Sequence, residues 1–260
     1  MRNIALFVIL FQLLLSGQEV FSQLTPAEKF ENVCLQQIRS NILNEDRTIF
    51  IHLPDNWENT SYPVLYILDG EYLNLYEETL ISTQTNPHII IGIKTDENRN
   101  RDMIPVKVES REGSGEAAMF LEFLSIELQA YVNKNYNATG KKILYGGSNA
   151  GLFTIYAMLT KPESFDAYIS SSATIGYCSN FMTEKVNQFN PISKLDGKHL
   201  FIYYGMKDPS PRVIGHIESF SKLLSDHFSN NLIIEIKSIE NEGHVPEGGI
   251  REGLNFIYNN

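Results

Sequence analysis

The sequence predicts an α/β fold, in which a doubly wound, mostly parallel sheet carries helices on both faces. Several strand-like runs, such as Ile89–Ile93, are apolar throughout, which is typical of strands covered on both faces. Helix-like segments alternate with these runs along the chain. A glycine-rich turn at residues 146–151 joins one strand to one helix. Ligands of such folds bind beyond the carboxyl ends of the strands, so we expect the functional residues there.

Runs rich in β-branched and aromatic residues predict seven strands. They are Thr48–Ile51, Val64–Leu68, Ile89–Ile93, Ile143–Tyr145, Ala167–Ile169, Leu200–Tyr204 and Leu232–Ile236. The apolar positions within residues 120–132 fall on one helical face, and a second helix is expected over Leu152–Leu159. A third helical pattern covers Val213–Leu224, between the last two strands.

The first residues predict a cleaved signal peptide over residues 1–22, which leaves residues 23–260 as a single domain. Arg2 precedes an uncharged apolar run, Ile4–Leu15, and a small-residue pattern ending at Ser22 follows it. The apolar run is shorter than the roughly 20 residues that a spanning helix needs, which disfavours a retained membrane anchor. We therefore expect a secreted or periplasmic protein whose mature part has no membrane span.

Charge and cysteine content narrow the possible partners. The formal net charge is −10, from 21 basic and 31 acidic residues. Nucleic-acid binding depends on clustered lysine and arginine, and the pair Lys141–Lys142 stands alone, so nucleic acid is not an expected partner. The two cysteines, Cys34 and Cys178, form either one disulfide or two free thiols.

The turn Gly146-Gly147-Ser148-Asn149-Ala150-Gly151 is typical of a nucleophile elbow, the turn that presents the serine of an α/β hydrolase. It follows the strand that ends at Tyr145 and opens a helix, as an elbow must. Small neighbours let the chain bend sharply and expose the Ser148 hydroxyl. The same pattern is also compatible with an ordinary turn. In the elbow interpretation, Ser148 is the nucleophile.

A serine nucleophile needs a histidine base and a carboxylate that orients the histidine. His244 follows the last strand in a glycine-bearing turn, whereas the other five histidines lie in or beside strands and helices. Asp208 follows the penultimate strand, so the chain order Ser148, Asp208, His244 is that of an α/β hydrolase. Asp208 is equally placed to cap the next helix, and Glu240 and Glu242 are alternative acids.

An oxyanion hole requires two backbone N–H groups. Asn149, the residue after the nucleophile, supplies the first. The second is expected from Glu71, because Gly70 allows the backbone of the loop 68–72 to approach a substrate oxygen. An ordinary strand-to-helix turn at Glu71 is the alternative.

Five sequence motifs, in this order, resemble those of the putative-esterase family of α/β hydrolases. That family includes esterase D, enterochelin-type siderophore esterases, feruloyl and acetylxylan esterases and mycolyltransferases. They are Tyr62–Gly70, Arg99–Pro105, Phe120–Leu128, the elbow and Gly243-His244. The resemblance covers nearly all of residues 23–260. It implies Ser148, Asp208 and His244 as the catalytic triad, Glu71 and Asn149 as oxyanion-hole residues, and neither a cofactor nor a metal.

The chain departs from the family pattern in two places. Gly147 stands where relatives usually carry histidine, and Ala150 where they carry glycine. The segment Ser170–Thr174 replaces a Ser-Pro-Ser turn. The apolar loop Gly176–Leu195 either covers the pocket or packs down on the core, and Arg99 and Arg101 either meet an anionic siderophore or remain solvated.

These features favour a serine hydrolase that cleaves carboxylic esters through an acyl-enzyme. An acyltransferase with the same triad and a non-catalytic binding protein on the same fold are the alternatives. A metallohydrolase is disfavoured, because no His-x-x-x-His pattern with a nearby carboxylate occurs. Candidate substrates are siderophore lactones, feruloyl or acetyl groups on glycans, and small acyl esters. The oligomeric state stays open.

Overall fold

The computed structural model describes residues 24–209 and 211–260. The predicted signal peptide lies outside these residues. The strands are Val33–Ser40 (β1), Glu45–His52 (β2), Tyr62–Leu68 (β3), Ile89–Ile93 (β4), Ala138–Gly147 (β5), Ala167–Ser171 (β6), Lys198–Gly205 (β7) and Leu232–Ile239 (β8). They form one eight-stranded sheet in the order β1-β2-β4-β3-β5-β6-β7-β8. The pairs β1/β2 and β2/β4 are antiparallel, and all other neighbouring pairs are parallel.

All seven predicted strands are confirmed, and β1 is the strand that the sequence pattern did not predict. It lies at the edge of the sheet, and its residues 34–37 are all exposed. A strand that is exposed along most of its length needs no continuous apolar run, so the signal that marks the buried strands is missing here.

The α-helices are Pro26–Lys29 (α1), Leu73–Ser82 (α2), Arg99–Met103 (α3), Ala117–Glu122 (α4), Gln129–Asn135 (α5), Asn149–Thr160 (α6), Ser179–Asn187 (α7), Pro211–Phe228 (α8) and Gly249–Asn259 (α9). A π-helical segment, Phe123–Leu128, joins α4 to α5, so the helix expected within residues 120–132 is present with a local change of pitch. Among the described residues, no helix is long and apolar enough to cross a membrane.

Helices cover both faces of the sheet, as predicted. Alternate residues of β3 point to opposite faces. Leu65 and Ile67 pack with apolar residues of α2 and α9, including Tyr76 and Leu254. Tyr66 packs on the other face with residues of α4 to α8. The doubly wound, mostly parallel arrangement is therefore confirmed.

The parallel strands bring their carboxyl ends together at one edge of the sheet. Gly147 at the end of β5 pairs with Ser171 of β6, which in turn pairs with Tyr203 of β7. The loops that follow β3, β5, β6, β7 and β8 consequently meet at this edge. The candidate functional residues all lie in these loops or at the strand ends.

Candidate active site

Ser148 occupies a strained turn between β5 and α6. Its backbone has φ 61° and ψ −119°, a region that residues other than glycine adopt at a cost of about 1–3 kcal/mol. Two hydrogen bonds hold the turn: the Ser148 N–H donates to the Ser171 carbonyl (2.8 Å), and the Ser148 carbonyl accepts from the Leu152 N–H (3.0 Å). The neighbouring strand and the helix therefore stabilise a conformation that the serine alone would not adopt.

Close backbone contacts explain the small residues around Ser148. A Cβ at Gly146 would lie 2.3 Å from the Ala150 carbonyl oxygen, and a Cβ at Gly151 would lie 2.7 Å from the Ser171 carbonyl oxygen. Both glycines are therefore required for the sharp bend. The departure at position 147 also has a structural cause, because a Cβ there would lie 2.9 Å from Val245 Cγ1.

His244 and Asp208 are in direct hydrogen-bond contact. His244 Nδ1 lies 2.5 Å from Asp208 Oδ2, and the side chains are 34% and 3% exposed. A buried carboxylate at this distance favours the tautomer whose Nδ1 carries the proton, which leaves Nε2 free to accept one. The arrangement is that of a base with its orienting acid.

The loops that carry these two residues are fastened to each other. The Lys207 N–H donates to the Glu242 carbonyl (2.8 Å), which ties the segment after β7 to the segment after β8. A Cβ at Gly205 would lie 2.1 Å from the Gly243 carbonyl oxygen, so only glycine allows this approach. The side chains of Glu240 and Glu242 are exposed, whereas Asp208 is buried against the histidine.

The His244 loop is also anchored beside the elbow. The Val245 N–H donates to the Ser172 hydroxyl (3.0 Å), and Val245 packs against Gly147, the residue before Ser148. Among the described residues, no hydrogen bond joins the Ser148 hydroxyl to the His244 ring. Such bonds are often long without substrate and tighten when it binds.

Several of the remaining histidines have structural partners away from this edge. His88 Nε2 lies 2.7 Å from the Tyr258 hydroxyl, and burial lowers the pKa of His88 to about 4. His199 is buried and packs edge-on against Phe256, and burial lowers its pKa as well. Neither ring is placed to act on Ser148.

Asn149 is held firmly at the start of α6. As the first residue of a helix, it has an N–H without an intrahelical acceptor. Its side-chain oxygen accepts from the Thr174 hydroxyl (2.7 Å), and its side-chain nitrogen donates to Asn100 Oδ1 (3.3 Å). Thr174 belongs to the serine-rich segment after β6, which therefore supports the elbow.

The loop that carries Glu71 is pressed onto β4. A Cβ at Gly70 would lie 2.4 Å from the Gly92 Cα, so glycine is required there. The Glu71 carboxylate accepts from the N–H groups of Asp96 (2.9 Å) and Thr95 (3.2 Å). Burial raises the pKa of Glu71 to about 7, and the nearby charge of Asp69 acts in the same direction. The carboxylate therefore points to the end of β4, and its role is to anchor the loop.

Arg99 connects the Glu71 loop to the elbow. Its guanidinium donates twice to the carboxylate of Asp69 (2.8 and 2.9 Å) and once to the Gly147 carbonyl (3.2 Å). Arg101 pairs with Glu45 (2.6 Å) and Asp102 (2.8 Å). Both arginines therefore form internal braces, which neither interpretation from the sequence included, and the siderophore interpretation stays a prediction. Sequence reasoning did not predict this bracing role, although both arginines belong to the motif Arg99–Pro105 that contributed to the family resemblance.

The loop Gly176–Leu195 mostly packs down on the core. Met182 is fully buried, and Phe189 packs edge-on against Phe228. A cavity of about 750 Å³ lies instead between α2 and the segment 245–251 that follows His244. Its lining includes Tyr72, Ile81 and Val245. The cavity is thus adjacent to the two loops that carry Glu71 and His244, although no candidate catalytic residue lines it.

The family model for esterases, described as putative esterase, matches residues 40–204. The chain belongs to this family. It is 29% identical over 187 residues to the ferri-bacillibactin esterase BesA of Bacillus subtilis, covering 61% of this chain and 65% of that protein. It is 28% identical over 176 residues to the siderophore triacetylfusarinine C esterase of Aspergillus fumigatus, covering 60% of each. The chain thus spans less than two thirds of the length of either relative.

Solved structures show the same architecture. The BES protein of Bacillus cereus superposes with a TM-score of 0.74 at 25% identity, covering 87% of this chain and 96% of that chain. An IroE-like serine hydrolase of Shewanella oneidensis gives a TM-score of 0.76 at 23% identity, covering 87% and 79%. The second likeness shows the fold alone. The α/β-hydrolase fold and the family resemblance predicted from the sequence are both confirmed.

Proposed function

We propose that this esterase-family chain hydrolyses carboxylic esters through an acyl-enzyme on Ser148. The observation that carries the proposal is the buried Asp208 carboxylate 2.5 Å from His244 Nδ1, on a loop that packs against the residue before Ser148. The strained elbow adds support, because such strain is concentrated at functional sites. A binding protein would need neither the strain nor the oriented histidine.

In this mechanism, His244 Nε2 removes the proton from the Ser148 hydroxyl as the oxygen attacks the ester carbonyl. The carbonyl oxygen becomes negative and accepts hydrogen bonds from the N–H groups of Glu71 and Asn149. Collapse of the tetrahedral intermediate expels the alcohol, which takes the proton from His244. Water then attacks the acyl carbon while His244 Nε2 takes its proton. The bond between that carbon and the Ser148 oxygen breaks, the acid is released, and His244 returns the proton to Ser148.

Siderophore esters are the substrate class that we assign. The support is the similarity to two curated relatives whose names describe siderophore esterases, one bacterial and one fungal. No observation specifically favours a feruloyl or acetyl glycan ester. Transfer to an acceptor alcohol would use the same triad, so the identity of the product distinguishes hydrolase from acyltransferase.

The mature chain should be incubated with siderophore lactones, feruloyl esters and short acyl esters, and the products identified by mass. We expect free acid and alcohol from a siderophore ester. A fluorophosphonate should add one adduct to the wild type and to Ser219→Ala, a variant of an exposed helical serine, but none to Ser148→Ala. Labelling of Ser148→Ala at the wild-type level would contradict the proposal.

We further propose that residues 1–22 direct export and are removed. The native protein should then begin at Gln23 when its amino terminus is determined by mass spectrometry. Retention of the apolar run Ile4–Leu15 would contradict this. The structure keeps Cys34 exposed and Cys178 buried as free thiols, so two thiols should react after unfolding without reductant.

A further inference from the structure

Within the part of the chain that the structure describes, Arg111 is a cation without an ion-pair partner. Its guanidinium carbon lies 4.5 Å from the centroid of the Tyr177 ring, a cation–π arrangement. Its Nε atom is buried and has no hydrogen-bond partner, and no ion pair to Arg111 occurs among residues 24–209 and 211–260. Buried N–H groups nearly always have an acceptor, so an exception of this kind marks a place where an acceptor is missing.

Hydrogen bonds connect Tyr177 to the elbow. The Tyr177 N–H donates to the Thr174 carbonyl (3.2 Å). The Thr174 N–H donates to the Ser148 carbonyl (3.3 Å), and its hydroxyl donates to Asn149 Oδ1 (2.7 Å). Tyr177, on whose ring Arg111 stacks, is therefore only three residues from Thr174, which is hydrogen-bonded to Ser148.

The Arg111 side of the pair is connected to the same place. Asn100 Nδ2 contacts the carbonyl of Glu112, the residue after Arg111 (3.4 Å). Asn100 Oδ1 accepts from the side chain of Asn149 (3.3 Å). Two separate chains of hydrogen bonds thus connect the segments that carry Arg111 and Tyr177 to Asn149. The proposed mechanism uses neither Arg111 nor Tyr177.

We propose that Arg111 and Tyr177 form a subsite for a planar group with an anionic oxygen, carried by the substrate away from the ester bond. The guanidinium donates hydrogen bonds to that oxygen. The Tyr177 ring, over which the guanidinium lies, fixes the orientation of its donors. A carboxylate, a phenolate or a hydroxamate oxygen has the required chemistry. The inference rests on the proposed ester hydrolysis and specifies which esters it favours.

Matched esters test the subsite. 4-Nitrophenyl acetate is neutral, mono-4-nitrophenyl succinate carries a carboxylate on the acyl side, and 4-acetoxybenzoate carries one on the leaving side. Arg111→Gln should lower kcat/KM for at least one anionic ester by about tenfold, mainly through KM, as expected when one charge-assisted hydrogen bond is lost. Hydrolysis of the neutral ester should be unchanged. Equal effects on all three esters, or none, would overturn the proposal.

Arg39→Gln is the matched control, because Arg39 lies on edge strand β1 and pairs with Asp46. Arg111→Lys keeps the charge but loses the planar fork, so it should recover part of the anionic preference. If Arg111→Gln is poorly folded, Tyr177→Ala tests the same subsite. It should lower kcat/KM for an anionic ester relative to kcat/KM for the neutral ester.

A binding measurement separates this inference from the proposed function. Benzoate and the neutral benzamide are titrated into wild type and Arg111→Gln, with binding followed by NMR. The wild type should prefer benzoate, and the variant should lose that preference, whether or not any ester is hydrolysed. Equal binding of benzoate by wild type and variant overturns the subsite, whereas full activity of Ser148→Ala overturns the mechanism alone.

Discussion

Val245 fills the space in which a side chain at Gly147 would stand, since a Cβ there would lie 2.9 Å from Val245 Cγ1. Val245 itself has φ 53°, which is strained for a β-branched residue. The contact fixes the spacing between the elbow and the His244 loop, because neither partner can move towards the other. This packing and the hydrogen bond from the Val245 N–H to the Ser172 hydroxyl together link the elbow to the loop of its base.

Gly147→Ala is therefore expected to lower both activity and stability. Overpacking of this kind costs about 1–3 kcal/mol. Val245→Ala in the same chain removes Cγ1 and should restore most of the loss, which a double-mutant cycle of melting temperature and kcat/KM would measure. Wild-type behaviour of Gly147→Ala alone would show that the loop yields freely and that the contact does not set the spacing.

Ser148→Ala, His244→Ala and Asp208→Asn should each lower kcat for a nitrophenyl ester, the serine variant by about a thousandfold or more. Adding His244→Ala to Ser148→Ala should cost little more, because triad members act as a unit. Glu242→Gln is the control for the acid, since its carboxylate is exposed. If Asp208→Asn stayed active while Glu242→Gln did not, the acid would be assigned wrongly.

The buried strands could be predicted from the sequence because burial on both faces requires apolar residues at every position, as in Ile89–Ile93. The order of Ser148, Asp208 and His244 followed from their positions after β5, β7 and β8. The structure brings Asp208 and His244 together, and it places Val245 against Gly147.

The supporting contacts could not be predicted in the same way. Asp69 and Arg99 are separated by 30 positions, and nothing in either local sequence indicates that they form a bidentate pair. The glycine at 147 appeared only as a departure from the family pattern, because its cause lies in a loop whose path depends on the whole sheet. Edge strand β1 lacked the apolar signal because most of its residues are exposed to solvent.

Arg99 is expected to position the oxyanion hole. Arg99→Gln breaks the bridge from Asp69 to the Gly147 carbonyl, so kcat should fall by about tenfold or more with a smaller change in KM, as when an interaction made in the transition state is lost. The double variant Asp69→Asn/Arg99→Gln removes the unpaired carboxylate and should regain stability but not activity. A loss confined to KM would instead indicate that Arg99 binds substrate.

Glu71 should make stability depend on pH. Burial raises its pKa from 4.5 to about 7, so between these values the folded protein binds more protons than the unfolded chain. The free energy of unfolding therefore falls as pH rises through this window. Glu71→Gln removes the titration while keeping an oxygen that can accept from the Asp96 N–H. The melting temperature of the variant, relative to wild type, should consequently rise between pH 5 and pH 8.

Glu97→Gln, at an exposed position on the turn that follows β4, controls for the loss of one charge. If both variants gave the same pH-independent difference, burial of the Glu71 carboxylate would not be the source of the effect.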